Sequence, residues 1–217
     1  MPRFTEIDDT TRVDHTHLRA DDTCVFMYEY TSGRDFTFSQ TNNLINNLKK
    51  KPSLAGTAQY AWKARAIEQC AREFRGALDS GWISTTTFVP VPGSKAPGHP
   101  DFDNRIELIC QSLGQNVDVR NLVTQSQSTA ASHEVGVGER VTVNELNSIY
   151  AINENLAAPP PTYLAVVDDV LTAGTHFRAM KTALTARFPG IPVAGLFVAR
   201  RVFATPPEPA DFDIIDF

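Results

Sequence analysis

The chain has 217 residues and a formal net charge of −5, with 42% hydrophobic and 21% charged residues. This size and balance predict one globular α/β domain with an additional lobe, and they predict no general affinity for nucleic acid. No apolar run approaches the roughly 20 residues that a transmembrane helix requires, and the polar, acidic start is unlike a secretory signal. We therefore expect a cytoplasmic protein without a membrane partner.

The cysteines and two early histidines were considered as disulfide or metal residues. Cys24, Cys70 and Cys110 lie far apart and form no CxxC pair, and an odd number of cysteines argues against a disulfide framework. We expect buried free thiols. His15 and His17 have no cysteine or third histidine near them, so the sequence does not support a metal site there.

The first 80 residues predict a small N-terminal α+β lobe. Residues 1–22 are polar and lack periodicity, which predicts a loose lead-in. A strand over 23–30, a second short strand over 36–38 and helices over 41–50 and 54–79 follow. The second helix has one apolar stripe, with Lys63, Glu68 and Arg72 on its other side. The lysines at 49–51 indicate the solvated end of the first helix.

From residue 81 to residue 217 the chain predicts a core domain in which strands and helices alternate. Strands are expected over 83–91, 117–123, 162–167 and 191–199, with a short terminal strand. Helices are expected from Asp101 or Asp103, over 142–150, and around Phe177, Met180 and Leu184. The polar segment 124–140 has the length of a functional or disordered loop. The alternation predicts an α/β fold with a mainly parallel twisted sheet flanked by helices, whose ligands bind beyond the carboxyl ends of the strands.

The most informative segment is an apolar strand, 164–167, followed by two aspartates, a small loop and a helix. Carboxylates bind ribose hydroxyls directly or through Mg²⁺, and loop N–H groups at a helix start bind a terminal phosphate. Two carboxylates beside an anion are costly without a cation, so we expect Mg²⁺ at Asp168 and Asp169. The predicted ribose-phosphate site comprises Asp168, Asp169, Val170, Leu171, Thr172, Ala173, Gly174 and Thr175.

Two other interpretations of this segment were weighed. Aspartates that merely cap a helix would also give an acidic pair, but the Thr-x-Gly-Thr loop, Thr172 to Thr175, favours a ligand site. The phosphoacceptor site of a receiver domain also has an acidic pair. In that fold the pair lies near the start of the chain, with further strands and a lysine after it. Too little of this chain follows Asp169 for a receiver domain.

The segment 164–176 resembles the phosphoribosyl-pyrophosphate (PRPP) signature of type I phosphoribosyltransferases. Upstream, the run Phe88-Val89-Pro90-Val91-Pro92 is similar to the strand and pyrophosphate loop of ComF-like members of that family. Further similarities to ComF-like sequences are Tyr28-x-Tyr30, Leu44-Ile45, Leu48-Lys49, Arg120, Thr124-x-x-Gln127, Arg140 and Asn144. The resemblance covers residues 25–200, and only the segment 164–176 is specific by itself.

This resemblance implies a Mg²⁺-dependent glycosyltransferase that uses PRPP as donor, releases pyrophosphate and acts on an unidentified small-molecule acceptor. It implies a pyrophosphate loop at Gly93, Ser94 and Lys95. Catalytic roles would fall to Asp168, Asp169, Arg120 and Arg140, with both arginines stabilising the charge of the leaving group. The N-terminal lobe would be the hood that receives the acceptor, with Tyr28, Tyr30, Phe36 and Phe38 as candidate stacking residues. A homodimer is left open.

The chain departs from the ComF-like pattern in three places. It has no N-terminal zinc-binding cysteines, the usual Arg-Gly-Phe-Asn element is present only as Phe102-Asp103-Asn104-Arg105, and the spacing from Arg140 to Asn144 is longer by one residue. These departures favour a second hypothesis: a non-catalytic sensor of PRPP or nucleotides, or an interaction protein in DNA uptake, built on the same fold. His176, which follows the loop, is expected only to line the site.

Overall fold

The computed structural model describes residues 2–125 and 141–204. Its strands are β1 (Thr5–Glu6), β2 (Thr23–Ser32), β3 (Thr86–Pro90), β4 (Asp118–Val119), β5 (Val123–Gln125), β6 (Tyr150–Ile152), β7 (Tyr163–Leu171) and β8 (Val193–Phe203). Its α-helices are α1 (Asp9–Arg12), α2 (Gln40–Leu48), α3 (Ala61–Ala77), α4 (Ser80–Thr85), α5 (Arg105–Gln111), α6 (Val143–Ile149) and α7 (Thr175–Arg187). Short 3-10 turns lie at 52–54, 58–60 and 154–156.

Six of these strands form one sheet in the order β1-β2-β8-β7-β3-β4. Only β1 runs antiparallel to its neighbour, and every other pair in this sheet is parallel. β5 and β6 pair antiparallel in a separate two-stranded sheet. The prediction of an α/β fold with a mainly parallel sheet flanked by helices is therefore confirmed.

Each face of the large sheet is buried under helices. Along β7, Leu164 and Val166 belong to one apolar cluster and Ala165 and Val167 to another, as the two-residue period of a strand requires. The first cluster contains apolar residues of α6 and α7, and the second contains those of α2, α3 and α5. Because β7 is apolar on both sides, it forms the centre of the molecule.

Residues before and after the boundary predicted at residue 80 share this sheet. β2 pairs with β8 in parallel register, from Thr23 opposite Ala194 to Ser32 opposite Phe203. Helices α2 and α3 lie on the same face of the sheet as α5 and contribute to the same apolar cluster. The N-terminal residues thus supply an edge of the main sheet and two of its covering helices.

Several local predictions need correction. Residues 1–22 are not a loose lead-in, since they contain β1 and α1, and Asp8 caps α1 with its carboxylate. Residues 36–38 form a turn rather than a strand. The strand predicted over 83–91 begins only at Thr86, because Asp79 caps the short helix α4 before it. The strand predicted over 117–123 is divided between β4 and β5, which lie in different sheets.

The cysteine prediction is confirmed, because Cys24, Cys70 and Cys110 are buried free thiols. Burial raises the pKa of each thiol far above its ordinary value, which keeps all three protonated and unreactive. Within residues 2–125 and 141–204, no helix is long and apolar enough to cross a membrane.

Gly195 provides a test of the packing between β8 and α7. A methyl group on its Cα would lie 2.8 Å from Phe197 Cε2, 2.9 Å from Cys24 Sγ and 2.9 Å from Phe177 Cε2. We expect Gly195→Ala to lower the free energy of unfolding by about 2 kcal/mol, because overpacked cores move backbone and side chains out of their minima. Chemical denaturation measures this, with Gly114→Ala as the control, since a methyl there makes only an ordinary contact at 3.5 Å. Equal stability of the two variants would contradict the packing described.

Candidate functional site

The two segments predicted to bind PRPP leave the sheet at the same edge. β3 and β7 are adjacent and parallel, with Pro90 opposite Val167, and the N–H of Val91 donates to the carbonyl of Val167 at 2.9 Å. The segment Gly93–Lys95 follows the end of β3, and Thr172–Thr175 follows the end of β7. The carboxyl ends of parallel strands are where ligands of such sheets bind, so the structure brings these two predicted segments to one edge.

Asp168 and Asp169 lie within β7, which continues through both residues to Leu171. Neighbouring residues on a strand point to opposite faces of the sheet. Asp169 accordingly contacts Lys49, next to α2, and Arg105 of α5. Asp168 shares no ion pair with those cations, although its Oδ1 accepts a hydrogen bond from the N–H of Asp169 at 2.8 Å. The two carboxylates therefore have different surroundings.

Asp169 is a buried, fully paired carboxylate. Asp169 is 4% exposed, and its Oδ2 accepts hydrogen bonds from Arg105 Nε at 2.9 Å and from Arg105 Nη2 at 2.5 Å. Lys49 Nζ lies 3.3 Å from its Oδ1. Burial alone would raise the pKa of Asp169, but Lys49 and Arg105 hold it well below its usual range. Asp169 is thus ionised and bound to cations before any ligand arrives.

The ion pairs continue beyond Asp169 to a second buried pair. Asp103 accepts from Arg105 at 2.7 Å and from Lys63 Nζ at 2.7 Å. Lys63, predicted to face solvent, is 4% exposed, and it also donates to the carbonyls of Leu48 (2.5 Å) and Lys50 (2.9 Å). These carbonyls lie at the C-terminus of α2, where backbone carbonyls have no partner within the helix and need a donor from elsewhere. The network joins α2, α3, α5 and β7.

Asp168 has the opposite electrostatic character. It is half-buried, and no ion pair among the described residues includes it. Burial and the neighbouring Asp169 carboxylate raise its pKa well above its ordinary range. None of the described cationic side chains is paired with Asp168. A cation or a hydrogen-bond donor on a ligand would therefore stabilise its ionised form near neutral pH.

The carboxylates at this edge offer Mg²⁺ few ligands. No group of three or more His, Cys, Asp or Glu side chains suited to a metal exists within residues 2–125 and 141–204. Asp169 is occupied by two cationic side chains, which leaves Asp168 as the carboxylate able to accept a metal. Mg²⁺ often binds one or two protein carboxylates together with substrate phosphates. One unpaired carboxylate does not form a cage for the free ion, so Mg²⁺ held by Asp168 would need phosphate oxygens of a ligand as well.

The loop Thr172–Gly174 is held from one side by the N-terminal segment 15–18. His15 Nδ1 donates to the carbonyl of Thr172, and the N–H of His17 donates to the carbonyl of Ala173 at 2.8 Å. Leu18 lies against Gly174, whose φ of +84° is the left-handed conformation that glycine adopts without strain. We call residues 15–18 the loop anchor.

The loop anchor determines where the loop N–H groups point. In a trans peptide plane the N–H is antiparallel to the C=O. With the carbonyls of Thr172 and Ala173 bound to the anchor, the N–H groups of Ala173 and Gly174 point to the opposite side. No hydrogen bond within the described ranges uses either N–H. Together with the start of α7 at Thr175, they form a donor-lined turn suited to a phosphate.

The anchor itself is attached to α7 through Asp22. This buried carboxylate accepts from Arg178 and from Lys181 Nζ, the latter at 2.7 Å. Arg178 Nε also donates to the carbonyl of His17 at 3.0 Å. Arg178 and Lys181 of α7 therefore hold the N-terminal segment against the helix that follows the loop.

The remaining predicted loop residues contribute in different ways. Val170 and Leu171 are buried in the two apolar clusters, so only their backbone is available to a ligand. Gly93 has its carbonyl bound by Gln125 Nε2 at 2.5 Å, and a methyl on its Cα would lie 3.1 Å from the carbonyl oxygen of Asp103. Ser94 and Lys95 are half-buried beside it.

Of the two arginines predicted to act on the leaving group, one stabilises a turn and the other lies outside the described residues. Arg120 donates to Asp118 at 2.8 Å and to the carbonyls of Leu156 (3.2 Å) and Pro159 (2.6 Å), contacts that hold the turn before β7. Arg140 lies outside the described residues.

Sequence reasoning missed three cationic or polar contributors to this edge, and it missed the contact that a fourth residue makes. Lys49 was predicted to be solvated, Arg105 to be only a remnant of a family element, and Tyr150 was given no role. His176, predicted to line the site, has its Nδ1 2.8 Å from the Tyr150 hydroxyl. A spacing argument identifies none of these contacts, because each joins residues that are distant in sequence.

Comparisons with known proteins do not assign this site. No protein-family model matches the chain, and no curated protein is significantly similar to it.

The charges around Asp168 make a testable prediction for its titration. We expect its carboxyl to titrate well above the ordinary range of aspartate in ¹³C NMR, and Lys49→Met to raise the midpoint further, because Lys49 lowers this pKa. The native state then holds a proton that the unfolded chain has released, so the contribution of Asp168 to the free energy of unfolding falls as pH rises towards 7. Lys50→Met is the matched control. A wild-type midpoint below pH 5 would contradict this description.

The loop anchor predicts an unequal effect of two glycine substitutions. Gly174 and Gly190 both have positive φ, +84° and +80°, but a methyl at Gly174 would lie 3.0 Å from Leu18 Cδ2, whereas one at Gly190 meets nothing within 4 Å. Both alanine variants adopt a strained backbone, which costs about 1 kcal/mol. We expect Gly174→Ala to lose about 1 kcal/mol more, as measured by chemical denaturation. Equal losses would show that Leu18 does not pack on the loop.

Proposed function

We propose that this protein binds PRPP with Mg²⁺ and transfers its ribose 5-phosphate to a small-molecule acceptor with release of pyrophosphate. The observation that carries this proposal is the turn 172–175, whose carbonyls are bound by the loop anchor so that its N–H groups are oriented before a ligand arrives. The turn begins where β7 ends at Leu171, and Asp168 lies in the same strand towards this carboxyl edge of the sheet. A phosphate donor set and an unpaired carboxylate at one edge suit a sugar phosphate.

The proposed reaction is a substitution at the anomeric carbon of PRPP. A nitrogen of the acceptor forms the new C–N bond, the C–O bond to pyrophosphate breaks, and the acceptor nitrogen loses a proton. The transition state has oxocarbenium character, so the protein acts by holding the reactants, stabilising leaving-group charge and excluding water. No covalent nucleophile of the protein is needed.

Each element at the edge has a part in this proposal. The N–H groups of Ala173, Gly174 and Thr175 bind the 5-phosphate, and Asp168 accepts from a ribose hydroxyl or binds the cation. Bound Mg²⁺ supplies positive charge that balances the diphosphate. Lys95, on the loop after β3, is the candidate contact to pyrophosphate, and Asp169 acts through the cations that hold it rather than on the ligand.

A specific observation favours the second candidate, a non-catalytic PRPP or nucleotide sensor. The guanidinium of Arg120 donates to Asp118 and to two backbone carbonyls. These contacts stabilise the fold and leave the guanidinium less able to bind a leaving group. The turn 172–175 does not distinguish the two candidates, because both bind the same sugar phosphate. Pyrophosphate release separates them.

The experiment measures binding and chemistry separately on the full chain. We expect calorimetry to detect PRPP binding in the presence of Mg²⁺, and Asp168→Asn to weaken it about tenfold or more, because a charge-assisted contact is worth about 1.5–3 kcal/mol. Asp9→Asn, whose carboxylate is 89% exposed on α1, is the control and binds as wild type. Pyrophosphate release is then measured with purine, pyrimidine and amine acceptors.

The outcomes distinguish the candidates. Binding with pyrophosphate release supports the transferase, and binding without release for any acceptor supports the sensor. Absence of PRPP binding by the wild type, with the native fold retained, would overturn both.

A further inference from the structure

Tyr150, which is buried, and His176, which is half-buried, form a hydrogen-bonded pair beside the proposed site. Tyr150, the first residue of β6, is 8% exposed, and its hydroxyl lies 2.8 Å from Nδ1 of His176. His176 is the second residue of α7 and follows the turn 172–175 directly. The strand β6 thus places a hydroxyl against the first turn of the helix that begins at the proposed phosphate site.

The hydrogen-bonding requirements of the pair determine which imidazole nitrogen carries the proton. A phenol has one proton to donate, and a buried donor without an acceptor is costly. Within residues 2–125 and 141–204, His176 Nδ1 is the one hydrogen-bond partner of the Tyr150 hydroxyl. Burial raises the pKa of Tyr150 far above its ordinary value, so the phenol keeps its proton. Tyr150 therefore donates to Nδ1, which must be unprotonated.

The imidazole then carries its proton on the other nitrogen. Burial lowers the pKa of His176 to about 4, so the ring is neutral at neutral pH, with an N–H only at Nε2. The hydrogen bonds among the described residues use Nδ1 and not Nε2. His176 is in the first turn of α7, directly after the turn 172–175 at the carboxyl end of β7. An unused donor therefore lies at the edge where the sugar phosphate is proposed to bind.

We propose that His176 is a ligand-binding residue that donates its Nε2–H to an oxygen of the bound sugar phosphate, and that Tyr150 is the positioning residue that holds this tautomer. The inference rests on the proposed function, since it names a further contact of the same site. A neutral donor adds a directional contact without adding charge near Lys49. The proposal gives His176 a specific role beyond lining the site.

The tautomer is tested directly by long-range ¹H–¹⁵N NMR of the histidine side chains at pH 7. We expect His176 to be protonated at Nε2 in the wild type and to become a mixture of tautomers in Tyr150→Phe. Tyr163→Phe, at an exposed tyrosine, is the control and leaves the His176 resonances unchanged. Protonation at Nδ1 in the wild type would overturn the positioning role of Tyr150.

Ligand binding is tested with ribose 5-phosphate and with PRPP and Mg²⁺. We expect His176→Ala to weaken binding about fivefold, the usual effect of losing one neutral hydrogen bond, and His176→Gln to recover most of it through its side-chain amide. His99→Gln is the control, since His99 is an exposed histidine in another loop. Wild-type affinity in a folded His176→Ala variant overturns this inference alone. Absence of binding by the wild type overturns the proposed function and this inference together.

Discussion

The ion pair of Asp169 with Lys49 and Arg105 is the interaction on which this edge of the molecule depends. It connects the central strand β7 to the end of α2 and the start of α5, and Asp103 extends it to Lys63 of α3. Breaking one member of a buried ion pair costs about 3–5 kcal/mol, because the remaining charge stays buried without a partner. Buried ion pairs thus hold four elements that are distant in sequence in one arrangement, and each charge in the network is stabilised by its partners.

This arrangement gives two adjacent aspartates different roles. Because neighbouring residues on β7 face opposite sides of the sheet, Asp169 meets the cations of α2 and α5, while Asp168 faces away from them. The ionised Asp169 in turn raises the pKa of Asp168. A carboxyl group that is costly to ionise alone would be stabilised by a ligand that carries its own cation, which is the kind of ligand we propose for this site.

Local patterns predicted much of the fold and less of the site. The stripe of Phe177, Met180 and Leu184 correctly predicted α7, and the alternation of strands and helices correctly predicted the parallel sheet. Hydrophobic periodicity fails for Lys63, because it treats every lysine as a surface residue, whereas the carbonyls at the end of α2 require a buried donor there. It also fails for His15, whose contact with Thr172 joins two segments that are far apart in sequence and leaves no local pattern.

The position of β2 in the sheet bears on how the chain reaches its native state. β2 is the second of the described strands in sequence, whereas its parallel neighbour β8 is the last of them, so Thr23 and Ala194 pair across almost the whole described chain. Pairing over such a separation carries a large loop-closure cost and slows folding. During synthesis, β2 and the helices that follow it leave the ribosome long before β8 does. The pairing that places β2 in the sheet consequently forms only after β8 has been made.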